Sequence, residues 1–150
     1  MRSKLVTFAK MAPSRRALVM EAAATLAVAR VWLMVSPFRV VAAHLGTPAL
    51  PGADVTGDLA SDQLHAVREI RWAMRLASKR VPFRALCLQQ AVAAKLMLGR
   101  RGIPATVTFG LAPHDDPHEK LRAHAWVTSG RVGVSGFPVD EDLVPVARFA

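Results

Sequence analysis

The sequence predicts an α+β domain, on three observations. Through the first two-thirds of the chain, apolar residues recur at helical spacing. Past Ile103-Pro104 they alternate with small or polar residues in runs rich in Thr, Val and Phe. The helical and strand-like stretches are segregated rather than interleaved, which implies helices packed against a small antiparallel meander. At 150 residues the chain is near the commonest domain size and too short for two ordinary cores. A single domain over 1–150 is therefore expected, with a helical amino-terminal subdomain over 1–50 and the core that carries the chemistry over 61–150.

At the amino terminus, Arg2, Lys4, Lys10, Arg15 and Arg16 precede an apolar stretch from Ala17 to Val35, and Ala27-Val28-Ala29 imitates a small-residue cleavage site. Glu21 and Arg30 interrupt that stretch, so a packed helix is expected rather than a membrane span or an export signal. Its apolar surface leaves peripheral membrane contact open. Ser14 is placed to cap this helix, and Ser36-Pro37 ends or kinks it. Phe38 to Leu45 reads as a second helix before Gly46, and Thr47 to Asp54, with two prolines and a glycine, as a loop.

A third helix begins at Ser61, with Leu64, Val67, Ile70 and Met74 as its apolar stripe and Arg68, Glu69, Arg71 and Arg75 largely elsewhere; Trp72 reads as a core or rim packing residue. Val81-Pro82 breaks it. Cys87 to Gly99 is a fourth helix with a strongly apolar body. Ala105 to Gly110 and Arg122 to Thr128 read as strands around a charged loop, Pro113 to His118. Ser129-Gly130 turns into a short third strand, Arg131 to Ser135.

Composition narrows the function classes. Lysine and arginine number 20 against 11 acidic residues, a formal charge of +9, which favours an acidic peptide, nucleic acid or an anionic membrane surface. The basic residues are scattered over helices, the chain has no tyrosine, and no zinc-finger, helix-turn-helix or RNA-binding aromatic pattern appears, so specific nucleic-acid binding is not expected. The single cysteine cannot form an internal disulfide or a thiolate metal site. It is either a buried small hydrophobe or a reactive group, and a cytoplasmic location suits both. His114 and His118 lie i,i+4 beside Asp115 and Asp116, but Pro117 and the loop setting argue against an ordered metal pair; no metal or other cofactor is expected.

The chemistry centres on Cys87 and the run Ala123-His124-Ala125-Trp126-Val127. A sulfur at a helix amino terminus faces unpaired amides and the positive end of the helix dipole. An imidazole on an adjacent strand can take the thiol proton and later protonate a leaving amine. Trp126 is expected to pack beneath His124. Gln89 and Gln90, one turn or less into the helix, either reach the oxyanion region or are simply helix amides.

The run from Cys87-Leu88 through Gly99-Arg100-Arg101-Gly102, then Thr108-Phe109-Gly110 and His124-Ala125-Trp126, resembles the transglutaminase-like cysteine proteases that act as leader peptidases in lasso-peptide biosynthesis, best from about Val81 to Phe149. The resemblance implies a transglutaminase-like, papain-like core with amino-terminal helices, a cysteine-bearing helix and a small antiparallel sheet. It implies Cys87 as nucleophile, His124 as proton carrier and the Cys87 amide as oxyanion donor. It also implies a precursor-peptide substrate, a small leader-recognition protein and an asparagine-synthetase-like cyclase as partners. Members commonly carry a carboxylate on the strand after the histidine; here none occurs before Asp140, which becomes the candidate third residue beside a backbone carbonyl as the alternative. Thr128 stands where relatives often have glutamate. Two other readings stay open: a different Cys-His acyl-transfer enzyme, of transglutaminase or amidase type, and a non-catalytic peptide-binding scaffold.

Overall fold

The computed structural model describes residues 10–50, 57–116 and 118–150. The basic residues before Lys10, the part of the expected loop from Pro51 to Asp54, and Pro117 lie outside them. Among the described residues four helices precede four strands: α1 (Pro13–Val35), α2 (Phe38–Leu45), α3 (Ser61–Ser78) and α4 (Cys87–Gly99), then β1 (Thr106–Pro113), β2 (Leu121–Ser129), β3 (Val132–Ser135) and β4 (Val144–Phe149). The segregation of helices from strands that defines an α+β fold is thus observed.

Helix α1 starts two residues earlier than a Ser14 cap predicts, at Pro13 rather than about Arg15. Pro13 takes the first position, where a missing amide hydrogen costs nothing, Ala12 flanks it, and no side chain caps the end. By length and composition alone, these 23 residues would suffice to cross a membrane. In the fold the helix instead packs Val19, Ala22, Leu26 and Ala29 against α3 and α4. Its glutamate is the anchor of that packing. The Glu21 carboxylate accepts from Arg101 at 2.6 and 2.9 Å and from Arg100 at 3.0 Å, tying α1 to the Arg-Arg turn after α4. Met20, Val28, Val31, Met34 and Val35 remain exposed on its other face.

The core is one cluster. Leu26, Leu45, Ile70, Met74, Met97 and Leu98 are its largest fully buried side chains, joined by Val107, Ala125 and Val127 from the sheet. Burying each of the larger ones stabilises the fold by about 1.5–3 kcal/mol. Trp72 packs against this cluster from the rim, with the Arg15 guanidinium 4.9 Å above its ring.

The sheet order is β3-β2-β1-β4, all antiparallel neighbours. Strand β1 runs to Pro113, beyond the expected Gly110, and β4 was not expected at all. It is an edge strand, which is where Pro145 can sit without costing a ladder bond. Its outer edge is in turn covered by Thr47–Ala49. The amides of Thr47 and Ala49 donate to the carbonyls of Ala150 and Arg148 at 2.9 and 3.0 Å, so this part of the expected loop pairs with the sheet.

Candidate active site

Helix α4 begins at Cys87, and the reason is local. The carboxamide oxygen of Gln89 accepts the Leu86 amide at 3.1 Å, and Gln90 donates its side-chain amide to the Ala85 carbonyl at 2.8 Å. Two neighbouring glutamines thus fasten the extended residues Ala85 and Leu86 to the first turn. Gln89 is buried, so of its two readings the exposed helix amide does not describe it. The first intrahelical bond at this end runs from the Gln90 amide to Leu86 O at 3.0 Å. The preceding amides, Cys87 among them, lack intrahelical acceptors, as at any helix start. The Cys87 side chain is half-buried.

The far end of α4 is tied to the far end of β2. Ile103 donates its amide to Leu98 O at 3.1 Å, Lys95 donates to the Ala105 carbonyl, and Ser129 donates its hydroxyl to Pro104 O at 2.6 Å. Burial holds the Lys95 amine below its ordinary range.

On β2, Ala125 and Val127 face the helices, and alternation turns His124 and Trp126 the other way. The rings of His124 and Trp126 stack at 6.0 Å with an interplanar angle of 24°. Trp126 is 8% exposed and lies over Gly110, where a Cβ would come within 2.8 Å of the indole; no larger residue fits opposite His124 while that ring keeps its place.

Strand β3 pairs with β2 only along Val127–Ser129, leaving the His124 stretch as an open edge. Gly136 fills it. His124 Nε2 lies 2.7 Å from the Gly136 carbonyl oxygen. A carbonyl only accepts, so Nε2 carries the hydrogen of this bond, and in the neutral ring Nδ1 is left with a bare lone pair. Gly136 has φ +78, and a Cβ there would lie 2.4 Å from Ala125 O and 2.8 Å from Trp126 Cα. Only glycine lets the backbone come this close.

Asp140 is placed elsewhere than the expected third position. Its carboxylate accepts from Arg122 Nη1, while Asp142 accepts from Arg122 Nη2 at 2.9 Å. The two acidic side chains hold that guanidinium above its ordinary range, first through the bond to Asp140. The expectation that Asp140 orients the imidazole is therefore replaced, in this structure, by a backbone carbonyl for the ring and an ion-pair clamp for the carboxylate. That clamp fastens the connection between Gly136 and β4 to β2, two residues before His124. Among the described residues, no hydrogen bond joins the Cys87 thiol to the His124 ring.

A cavity of about 440 Å³ is lined by Gln90 of α4, Ser135 and Gly136, and Arg71, Met74 and Arg75 of α3, among others; neither Cys87 nor His124 is part of its lining. Gln90 stands one turn after Cys87, and Gly136 holds His124, so the cavity borders the supports of both side chains. His114 and His118 belong to no metal-binding cluster among the described residues: His114 contacts the Asp116 amide at 3.0 Å and Glu119 at 3.1 Å, and the His118 amide donates to Asp116 at 2.8 Å.

Comparison with curated proteins gives no match, nor does comparison with solved structures. The family model described as transglutaminase-like superfamily matches residues 25–148, a span that starts within α1 and takes in Cys87, His124, the Gly136 turn and β4. With a Cys-bearing helix set against a His-bearing strand and most of its length inside that match, the chain belongs to the transglutaminase-like superfamily.

Proposed function

We propose that this protein is a cysteine peptidase that removes the leader from a ribosomally made lasso-peptide precursor, with Cys87 and His124 as its reacting pair. The observation that carries the reading is the bond from His124 Nε2 to Gly136 O, because it leaves Nδ1 as the ring's base. Chain geometry supports the pairing. Going back from Gly99 to Cys87 covers about 18 Å of helix, and going back from Ser129 to His124 covers about 17 Å of strand. With their other ends tied together, the helix start and the histidine reach the same level along β2; because alternation turns the imidazole to the face away from the helices, the reading requires sulfur and ring to meet around the strand edge that Gly136 occupies.

In the reaction, Nδ1 takes the proton from the Cys87 thiol as sulfur attacks the scissile carbonyl. The Cys87 amide donates to the developing oxyanion. The tetrahedral intermediate collapses, the C–N bond breaks, and the Nδ1 proton goes to the leaving amine, the new amino terminus of the core peptide. Water, deprotonated by Nδ1, then attacks the thioester and releases the leader as a carboxylic acid with the thiol restored. Asp140 acts through Arg122 as a positioning residue, keeping the Gly136 connection against β2. In this reading a small leader-recognition protein presents the precursor, an asparagine-synthetase-like cyclase uses the freed amine, and a reducing cytoplasm keeps Cys87 as a thiol.

The test is incubation of the purified protein with a precursor peptide and its recognition partner, read by mass spectrometry. The expected product is an intact leader, absent with Cys87→Ala. Ammonia release or isopeptide crosslinks without main-chain cleavage would instead assign a transglutaminase- or amidase-type activity.

A further inference from the structure

Four of the arginines are engaged by carboxylates, and several of the remaining basic residues are grouped on α3. Arg15, Arg100, Arg101 and Arg122 each hold a carboxylate within the fold. Arg68, Arg71, Arg75 and Lys79 do not: they are exposed along one side of α3 and, among the described residues, make no ion pair. Their spacing of three to four residues puts them in one row. Arg71 and Arg75 occupy the middle of that row and also line the cavity that Gln90 and Gly136 border. The hydroxyl of Ser135, in the same cavity lining, is buried without a hydrogen-bond partner among the described residues. Uncompensated cations grouped over a concave site, with a buried hydroxyl lacking an acceptor, describe a place that an anion completes.

We propose that Arg71 and Arg75 form a carboxylate clamp at the mouth of this cavity, which holds an acidic segment of the peptide substrate while Arg68 and Lys79 extend the contact along α3. This rests on the peptidase reading for identifying the bound chain as substrate. An acidic peptide fits better than nucleic acid because the row adjoins a half-enclosed cavity whose aromatic rings form no stacking platform: Trp72 is packed at the core rim beneath Arg15, and Phe137, in the cavity lining, lies against Gly133. The guanidinium forks can each take a carboxylate through paired bonds.

The experiment measures fluorescence anisotropy of labelled probes on the Cys87→Ala protein. The probes are a short peptide alternating Glu and Ser, its Gln-Ser counterpart, and a single-stranded oligonucleotide of equal charge. The acidic peptide is expected to bind at least about tenfold tighter than the Gln peptide and tighter than the oligonucleotide. Arg71→Gln/Arg75→Gln is expected to abolish that preference, while Arg68→Gln/Lys79→Gln weakens it only about threefold. Equal binding of the two peptides, stronger binding of the oligonucleotide, or equal losses in the two double variants would overturn the proposal. The peptide comparison needs no arginine variant, so it holds even if one fails to fold. Because binding is read on a protein that cannot cleave, failure here leaves the peptidase reading to its own test, and failure to cleave leaves this one intact.

Discussion

The two halves of the candidate pair are held in different ways. Around Cys87 the fixing groups are side chains, with Gln89 and Gln90 closing the turn before the helix. Around His124 the fixing group is the backbone carbonyl of Gly136, brought to the strand edge by a residue that lacks a Cβ. The difference teaches where each half is vulnerable. Truncating a side chain disturbs the first; adding a side chain disturbs the second.

The largest effect separates chemistry from support. Cys87→Ala is expected to reduce leader release by at least about a thousandfold without altering the fold, since the nucleophile is lost and a small half-buried side chain is replaced by a smaller one. Precursor turnover and a thermal melt check the two statements. Gly136→Ala should come next. Its Cβ cannot share space with Ala125 O, so the connection must back away and release the imidazole, with turnover falling on the order of a hundredfold. A Gly136→Ala protein with wild-type turnover would show that this carbonyl does not set the ring.

On the other side of the comparison, Gln89→Ala removes one buried acceptor and is expected to cost about 1–2 kcal/mol of stability, measured by urea denaturation. Turnover should fall less than for Gly136→Ala, because α4 is otherwise held by its apolar body. Asp140→Asn probes the clamp rather than the ring. It should lower turnover only about threefold, because Asp142 still engages Arg122.

This ordering follows from what the sequence made readable. The limits of α4, Cys87 and Gly99, were legible because Val81-Pro82 and the Arg-Arg-Gly turn bracket an apolar run. The stacking of Trp126 on His124 followed from period-two alternation. Strand β4 was not legible: Val144, Pro145 and Val146 are all exposed, so the stretch lacks the alternation of a half-buried strand. Nor was the partner of His124. A search for carboxylates led to Asp140, whereas the group that meets the ring is a main-chain carbonyl, which no residue type announces. The available signal was Gly136 itself, a glycine just past a short strand, where a close backbone approach is common. The unpaired row on α3 was visible as composition, but its separation from the paired arginines depended on which carboxylates the fold delivers to Arg15, Arg100, Arg101 and Arg122.

The smallest expected effect concerns the scaffold behind both halves. Glu21 is held below the usual 4.5, chiefly by its bond to Arg101, with Arg100 assisting against the cost of burial. A carboxyl lowered on folding contributes stability that is present above its unfolded value and lost as pH falls through the folded one. The gap in unfolding free energy between wild type and Glu21→Gln, measured by urea denaturation, should therefore be of order 1 kcal/mol near neutrality and close at strongly acidic pH. A gap that widens on acidification would reverse the sign of the linkage.

The central claim, that Cys87 and His124 act as one unit, is tested most directly by the rate at which iodoacetamide alkylates Cys87 at neutral pH. The account predicts that His124→Ala slows the reaction by about tenfold or more, with the fold unchanged by circular dichroism. Equal rates in the two folded proteins would mean that the imbalance of proton and sulfur is never set up, and the pair would be two unrelated side chains.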